Sequence, residues 1–134
     1  MLDYLEKNKI RAVYFPLVVY WIILLTATSL PGQDLPKLGV SDKIEHLTAY
    51  LILAVILNLA LLVQNKYKLL KSKSSLFTVL IISVYAALDE LHQLFIPGRS
   101  CDIKDWAADF IAALIGALII FFIAGKNRKK AESA

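Results

Sequence analysis

The stretch IEHLTAYLILAVILNLALLV, residues Ile44–Val63, decides the fold, because Glu45 is its only charged residue at neutral pH. About 20 apolar residues in a helix are needed to cross the hydrocarbon core of a bilayer. Three further stretches of this kind fill most of the remaining chain: Ala12–Leu30, Leu76–Phe95 and Lys104–Ala124. Hydrophobic residues make up 58% of the 134 positions, and the mean hydropathy is +0.62. The sequence therefore predicts an all-α membrane protein, a bundle of four transmembrane helices formed by one domain over residues 1–134.

The basic residues are distributed unevenly between the two sides of such a bundle. Eleven of the 15 precede the first span, link spans two and three, or follow span four. The other four are Lys37, Lys43, Arg99 and Lys104. The positive-inside rule then predicts that both termini are cytoplasmic and that the other two links face outward. The net charge of +4 is explained by topology and lipid anchoring, so we expect membrane lipids and no nucleic acid as partners.

A second interpretation of the N-terminus stays open, because a basic start, an apolar run and the triplet Ala27-Thr28-Ser29 are also typical of a cleaved signal peptide. The run is long for that purpose, and Tyr20 and Trp21 suit an anchored span with interfacial aromatic residues. The lone Cys101 has no partner for a disulfide bond.

Ionisable residues cluster where the spans meet the predicted outward side. Asp42, His46 and Tyr50 recur every four residues and so share one face of span two. Glu90 and Gln93 share a face of span three, and Asp105 and Asp109 share a face of span four that continues as the small residues Ala112 and Gly116. Charged groups at membrane depth are costly, and small residues let helices approach closely. The pattern predicts one outward polar pocket beside a helix-packing face.

The link after span three contains Pro97 and Gly98, which favour a tight turn and bring Arg99 to the mouth of this pocket. The guanidinium fork of arginine suits phosphate or carboxylate. Asp102 is placed to cap span four. Lys43 is an interfacial anchor or a site residue, with its long stem reaching water.

Three motifs resemble the VanZ-like family of bacterial membrane proteins: SDKIEHLTAY at Ser41–Tyr50, DELHQLFIPGR at Asp89–Arg99 and DIKDWAAD at Asp102–Asp109. They fall in the family's order within residues 38–120. Asp109 is a departure, because many members carry Asn there. The resemblance implies a multi-pass protein of the bacterial cytoplasmic (inner) membrane, a link to teicoplanin resistance through the founding member, and membership of a proposed lipocone superfamily thought to act on lipid or polyprenol headgroups.

Three classes of function compete for this pocket. In the first, an enzyme acts on the phosphate of a phospholipid or polyprenyl headgroup, with His46 as base or nucleophile and Arg99 on the phosphate. The candidate catalytic residues are His46, Glu90, Asp109 and Asp105, and the candidate substrate-binding residues are Asp42, Lys43, Gln93, Arg99 and Tyr50. The second class binds a lipid or glycopeptide without chemistry, and the third is a proton-coupled transporter subunit. The transporter ranks last. Transport predicts polar residues that continue through the inner halves of the spans, and the sequence has few of them there: Asn58, Thr78 and Ser83.

No cofactor is expected in this pocket. His46, Glu90, His92, Asp105 and Asp109 include acceptable ligands for a hard divalent cation, but Lys43 and Arg99 would repel it. The sequence leaves the substrate and the oligomeric state open.

Overall fold

Six α-helices make up the protein in a computed structural model that describes residues 1–34, 39 and 41–132, apart from the side chains of Asp34 and residues 127–132. Lys37, one of the four basic residues on the predicted outward side, lies outside the described residues. The helices are α1 (Leu2–Lys7), α2 (Phe15–Thr28), α3 (Asp42–Val63), α4 (Lys68–Ser72), α5 (Ser74–Gln93) and α6 (Ile103–Glu132). A π-helical turn, Ile10–Tyr14, runs directly into α2, and a short 3-10 turn, Gly32–Asp34, follows that helix.

Four helical stretches among the described residues are long and apolar enough to cross a membrane: Ile10–Thr28, Asp42–Val63, Ser74–Gln93 and Ile103–Lys126. The described part of the chain contains no β-strand. The predicted all-α bundle of four transmembrane helices is therefore confirmed. The side of the membrane on which the termini lie stays a prediction.

The first and third spans begin and end about one half-turn earlier than the sequence suggested. The first begins at Ile10 rather than Ala12, because a π-helical turn, Ile10–Tyr14, extends α2 toward the N-terminus ahead of Pro16. Proline lacks a backbone donor and crowds the carbonyl four residues earlier, and the wider turn makes room for it. The third ends at Gln93 rather than Phe95, because Phe95 and Ile96 donate to carbonyls only three residues back, 3.0 and 3.1 Å away.

Helix α3 lies at the centre of the bundle and packs chiefly against α6 and α5, while α2 lies at the periphery. Ala112 and Gly116 on α6 are buried against α3, where a Cβ added to Gly116 would lie 2.6 Å from the Cβ of Ala54. The small-residue face predicted for the fourth span is thus confirmed as a packing face. Asn58 donates to Ser75 Oγ (3.2 Å) and to the Ala117 carbonyl (3.5 Å), so it bonds neighbouring helices, as expected.

The two ends of the bundle differ in chemistry. At one end the last turns of α2 and α5 meet the first turns of α3 and α6, and most of the buried charged residues lie there. At the other end Glu6, Asn65 and Lys71 form an exposed network in which the Asn65 amide lowers the pKa of Glu6. The candidate site therefore lies at the first end, which is called the acidic end below.

Candidate functional site

A cavity of about 130 Å³ opens at the acidic end between α2, α3 and the α5–α6 loop. Its lining comes from one face of the first turns of α3, where spacings of three and four residues align the side chains, and from the last turn of α2. The lining residues are Leu24, Ala27, Thr28, Asp42, Glu45, His46, Ala49 and Arg99. The cavity thus carries two carboxylates, one imidazole and one guanidinium on otherwise small or apolar walls.

His46 is hydrogen-bonded to Asp109 behind this cavity. The His46 Nδ1 atom lies 3.2 and 3.3 Å from the two Asp109 carboxylate oxygens, and both side chains are buried. Within the described part of the chain, Nε2 has no hydrogen-bond partner. The Tyr50 ring stacks parallel to the imidazole, with centroids 6.2 Å apart. His46 is therefore fixed on one nitrogen and available on the other.

Glu90 completes a buried group with His46 and Asp109, in which one potential ligand atom from each residue lies within 4.8 Å of the others. One Glu90 oxygen accepts from the Asp102 backbone N–H at 2.8 Å. The other oxygen, Oε1, is buried and has no hydrogen-bond partner among the described residues. Because a buried polar atom without a partner is costly, this oxygen is an acceptor left open for a ligand or a water.

A second buried carboxylate, Asp89, is by contrast fully bonded. Thr28 Oγ1 donates to it at 2.7 Å, Tyr50 Oη at 3.0 Å and Gln93 Nε2 at 3.4 Å. These donors come from α2, α3 and α5, so the carboxylate ties three helices together at the floor of the acidic end. We call Asp89 with its three donors the Asp89 network, and His46 with Glu90 and Asp109 the His46 triad.

Lys43 bridges the exposed rim. Its ammonium lies 3.0 Å from buried Asp105 and 3.4 Å from Asp102, so the anchor predicted at this position is an ion-paired side chain. Asp102 also caps α6, because its Oδ1 accepts the Lys104 backbone N–H at 2.9 Å. That N–H, and after it the Lys43 ammonium, lowers the pKa of Asp102.

Arg99 reaches the cavity from a tight turn. The Arg99 N–H donates to the Ile96 carbonyl at 3.1 Å, with Pro97 and Gly98 between them and Gly98 at φ +73°. That φ is open to glycine and costly for other residues, which is typical of a type II turn. The guanidinium then donates to the carbonyls of Ala27 (3.1 Å) and Leu30 (3.4 Å) at the end of α2. The other three of its five N–H donors make no hydrogen bond to the described residues.

The same turn is fixed by a close backbone approach. Gly32 donates to the Pro97 carbonyl at 3.1 Å, and a Cβ at Gly32 would overlap the Gly98 carbonyl oxygen. Only glycine therefore fits at position 32 without a shift of the loop. This contact between the two links on the acidic end sets the position of Arg99.

Among the residues that the structure describes, side chains of metal-ligand type form two groups, Asp42–His46–Asp105 and the His46 triad. The first already contains the Lys43 ammonium at 3.0 Å from Asp105, and the second the His46–Asp109 bond. We assign no cofactor to either group.

The structure brings most of the predicted site residues together, with two exceptions. Asp42, His46 and Arg99 line the cavity; Glu90 and Asp109 lie directly behind His46; Asp105 and Lys43 lie on the rim. Tyr50 and Gln93, predicted to bind substrate, are buried and donate to Asp89 instead. They support the floor of the site and do not line the cavity; Tyr50 lies one turn further along the same face of α3 than His46.

Three residues of the site were not singled out from the sequence. Glu45 follows Asp42 by three residues, so the same helical argument could have found it. Asp89 precedes Gln93 by a full turn, so the same spacing could have placed it on the face of Gln93. Thr28 lies on the first span outside the quoted motifs, and no pattern in the sequence marks it.

A cleft of about 290 Å³ lies on the other side of Glu90, between α5 and α6. Apart from Glu90 and Asp102 its lining is apolar or weakly polar: Ala87, Leu91, Cys101, Ile103 and Trp106. The Trp106 indole donates to the Ser83 carbonyl at 3.1 Å, which fixes one wall. Glu90 therefore stands between a polar cavity and an apolar cleft.

A model of the VanZ/LLP1 family matches residues 11–124, which is most of the chain. The chain belongs to the VanZ/LLP1 family. No curated protein and no solved structure matches it. The match includes the first span as well as the three motifs, so the family covers α2 together with the cavity that α2 helps to form.

Proposed function

We propose that this VanZ/LLP1 protein is an enzyme that acts on the phosphate-bearing headgroup of a phospholipid or polyprenyl lipid at the outward face of the bacterial cytoplasmic membrane. The observation that carries the proposal is the shared cavity: His46, held on Nδ1 by buried Asp109, borders the same space as Arg99. An oriented imidazole beside a guanidinium is suited to chemistry at a phosphate.

In this mechanism His46 is the general base. Its Nδ1–H donates to Asp109, so Nε2 accepts a proton from a water or alcohol whose oxygen attacks phosphorus. The new P–O bond forms while the P–O bond to the departing alcohol breaks, and that alcohol oxygen takes the proton back from the imidazolium. The carboxylate of Asp109 stabilises the imidazolium between these steps. Direct attack by His46 on phosphorus is the alternative chemistry and would leave a phosphohistidine.

Arg99 and Glu90 serve the two other needs of such a reaction. The three N–H donors that Arg99 does not spend on Ala27 and Leu30 can bind the phosphate oxygens. Glu90 Oε1, which has no partner in the described residues, can accept a hydrogen bond from the attacking water or the departing alcohol. The apolar cleft on its other side supports a lipid as the ligand, because an acyl or isoprenyl chain can lie there next to the site.

The orientation in the membrane is tested by thiol labelling. Cys101 is exposed at the acidic end, so an impermeant maleimide added to intact cells should label it. The matched control is Ser72→Cys in a Cys101→Ser background, at the other end of the bundle, which should be labelled only after permeabilisation. The reverse pattern would overturn both the cytoplasmic termini and the outward site.

The reaction is tested by headgroup release or exchange in proteoliposomes, together with lipid binding measured by native mass spectrometry. His46→Ala should lower turnover by about 10²–10⁴-fold and change lipid binding by only a few fold, because a general base acts mainly in the transition state. Arg99→Ala should weaken binding, and Arg99→Lys should not restore it fully. His92→Ala is the control, since His92 is exposed and bonded to Ser29 rather than to the cavity.

The competing proposal is a non-catalytic protein that binds a lipid or glycopeptide in the same cavity. It predicts binding by wild type and His46→Ala alike with no turnover of any phospholipid or polyprenyl phosphate. A link to teicoplanin resistance rests on the family alone and stays a prediction. Transport has less support, because Asn58, Ser75 and Thr78 in the inner half of the bundle are bonded to neighbouring backbone or side chains.

A further inference from the structure

We propose that the cavity recognises a zwitterionic headgroup of the phosphoethanolamine type, with the phosphate on Arg99 and the primary ammonium on Asp42 and Glu45. This inference rests on the proposed function only in placing a lipid headgroup in the cavity, and it holds for an enzyme and for a binder. The observation behind it is that charges of both signs line one small space.

The positive and negative groups enter the cavity from different elements. Arg99 comes from the α5–α6 loop and lies against the end of α2, where Ala27 and Leu30 accept its hydrogen bonds. Asp42 and Glu45 come from the first turn of α3. A ligand that satisfies both must itself carry a negative and a positive group at two positions.

The two carboxylates have no cation of their own in the described part of the protein. Neither the Asp42 nor the Glu45 carboxylate makes a hydrogen bond or ion pair there, although acidic residues in the first turn of α3 do favour its helix dipole. Lys43, the nearest lysine in sequence, is committed to Asp102 and Asp105. Arg99 is partly committed to α2. The cation that pairs with these carboxylates is therefore left to the ligand.

The lining distinguishes a primary from a quaternary ammonium. Carboxylates bind a primary ammonium through its N–H groups, whereas quaternary ammonium groups have none and are usually held by aromatic rings. The lining contributed by the described residues contains no Phe, Tyr or Trp, and His46 is its one ring. Phosphatidylethanolamine therefore fits better than phosphatidylcholine, and better than phosphatidylglycerol or a polyprenyl phosphate, which bring no cation to Asp42 and Glu45.

The test compares lipids of matched shape in nanodiscs of phosphatidylcholine doped with an equal fraction of phosphatidylethanolamine or phosphatidylglycerol. Native mass spectrometry of the full chain should show phosphatidylethanolamine retained about tenfold or more over both other lipids, as expected for a charge-assisted hydrogen bond. The double variant Asp42→Asn, Glu45→Gln should reduce this preference to within about twofold. Glu6→Gln, at the other end of the bundle, is the control and should keep it. Thermal melting of each variant in phosphatidylcholine checks that the fold is retained.

Other outcomes contradict the inference. Equal retention of the three lipids, or a preference for phosphatidylglycerol, would overturn it even if headgroup turnover is observed. If EDTA abolishes the retention of phosphatidylethanolamine and of the other lipids alike, Asp42 and His46 would be assigned to a metal ion instead. Full competition by soluble glycerophosphoethanolamine would overturn the assignment to a lipid. Selective retention of phosphatidylethanolamine without any turnover would support the inference and count against the enzyme.

Discussion

The Asp89 network and the His46 triad are two buried polar groups at the same end of the bundle, yet their bonding is opposite. Asp89 accepts hydrogen bonds from Thr28, Tyr50 and Gln93, all neutral donors. In the triad, Asp109 is hydrogen-bonded to Nδ1 of His46, while Glu90 keeps a buried oxygen without a partner among the described residues. Burial alone therefore does not distinguish a structural carboxylate from a reactive one.

The difference lies in what each group leaves unsatisfied. A fully satisfied polar network makes an ordered floor, and its loss exposes several unpaired donors at once. A partly satisfied group next to a cavity is costly unless something binds there. The Asp89 network holds α2, α3 and α5 together, and our proposal places the chemistry on the His46 triad.

The largest effect should follow removal of the Asp89 carboxylate. Asp89→Ala leaves the donors of Tyr50 and Gln93 buried and unpaired, at about 1–3 kcal/mol for each donor, while the Thr28 hydroxyl keeps the Leu25 carbonyl at 3.2 Å as an acceptor. We expect a loss of several kcal/mol in the free energy of unfolding, which is enough to prevent recovery of folded protein. Melting by circular dichroism in detergent measures this, with Asp109→Ala as the comparison. A smaller loss for Asp89→Ala than for Asp109→Ala would reverse our assignment of the two carboxylates.

Substitution of Asp109 should act on turnover instead. Asp109→Leu removes the acceptor from His46 Nδ1, and we expect turnover to fall by about 10²–10⁴-fold. Asp109→Asn keeps a carbonyl acceptor, so the expected fall is only about tenfold. Rates of headgroup release by the folded fraction give the comparison. Equal loss in both variants would mean that the negative charge, rather than the orientation of the ring, is what His46 needs.

A substitution in the middle of the bundle should change stability without touching the Asp89 network or the His46 triad. Gly116→Ala places a methyl group against Ala54, and we expect a cost of about 1–3 kcal/mol in unfolding with unchanged turnover per folded molecule. Gly125→Ala is the matched control, because no atom lies within 4 Å of an added Cβ there, and helix propensity favours alanine by up to about 1 kcal/mol. If both variants melt at the wild-type temperature, α3 and α6 do not approach as closely at Gly116 as the structure shows.

The smallest effect concerns a single bond of the Asp89 network. Thr28→Val removes the hydroxyl that donates to Asp89 at 2.7 Å and keeps the shape of the side chain. The other two donors stay in place, so we expect a loss of about 1 kcal/mol in the free energy of unfolding. Thr28→Ser should retain most of the stability. A drop as large as that for Asp89→Ala would show that α2 depends on this one bond.

Hydropathy and helical phase together predicted the fold and the outer layer of the site. The four apolar stretches are long enough to cross a membrane, and the four-residue spacing of Asp42 and His46 indicates which face of α3 is polar. The rest depended on packing between helices that are far apart in sequence. Whether Tyr50 lines the cavity or donates to Asp89 depends on how closely α5 packs against α3 at that turn, and the place of Thr28 depends on where α2 docks. Neither is encoded in a local pattern.

The paired variants His46→Gln and Asp89→Asn test the central claim most directly, when melting temperature and headgroup turnover are measured on the same proteoliposome preparations. We predict that His46→Gln melts close to wild type and has lost turnover. Asp89→Asn should melt lower, because one acceptor oxygen is replaced by a donor amide, and its folded fraction should still turn over lipid. The opposite result, a stable inactive Asp89→Asn and an unstable but active His46→Gln, would contradict the division between a structural network and a reactive triad.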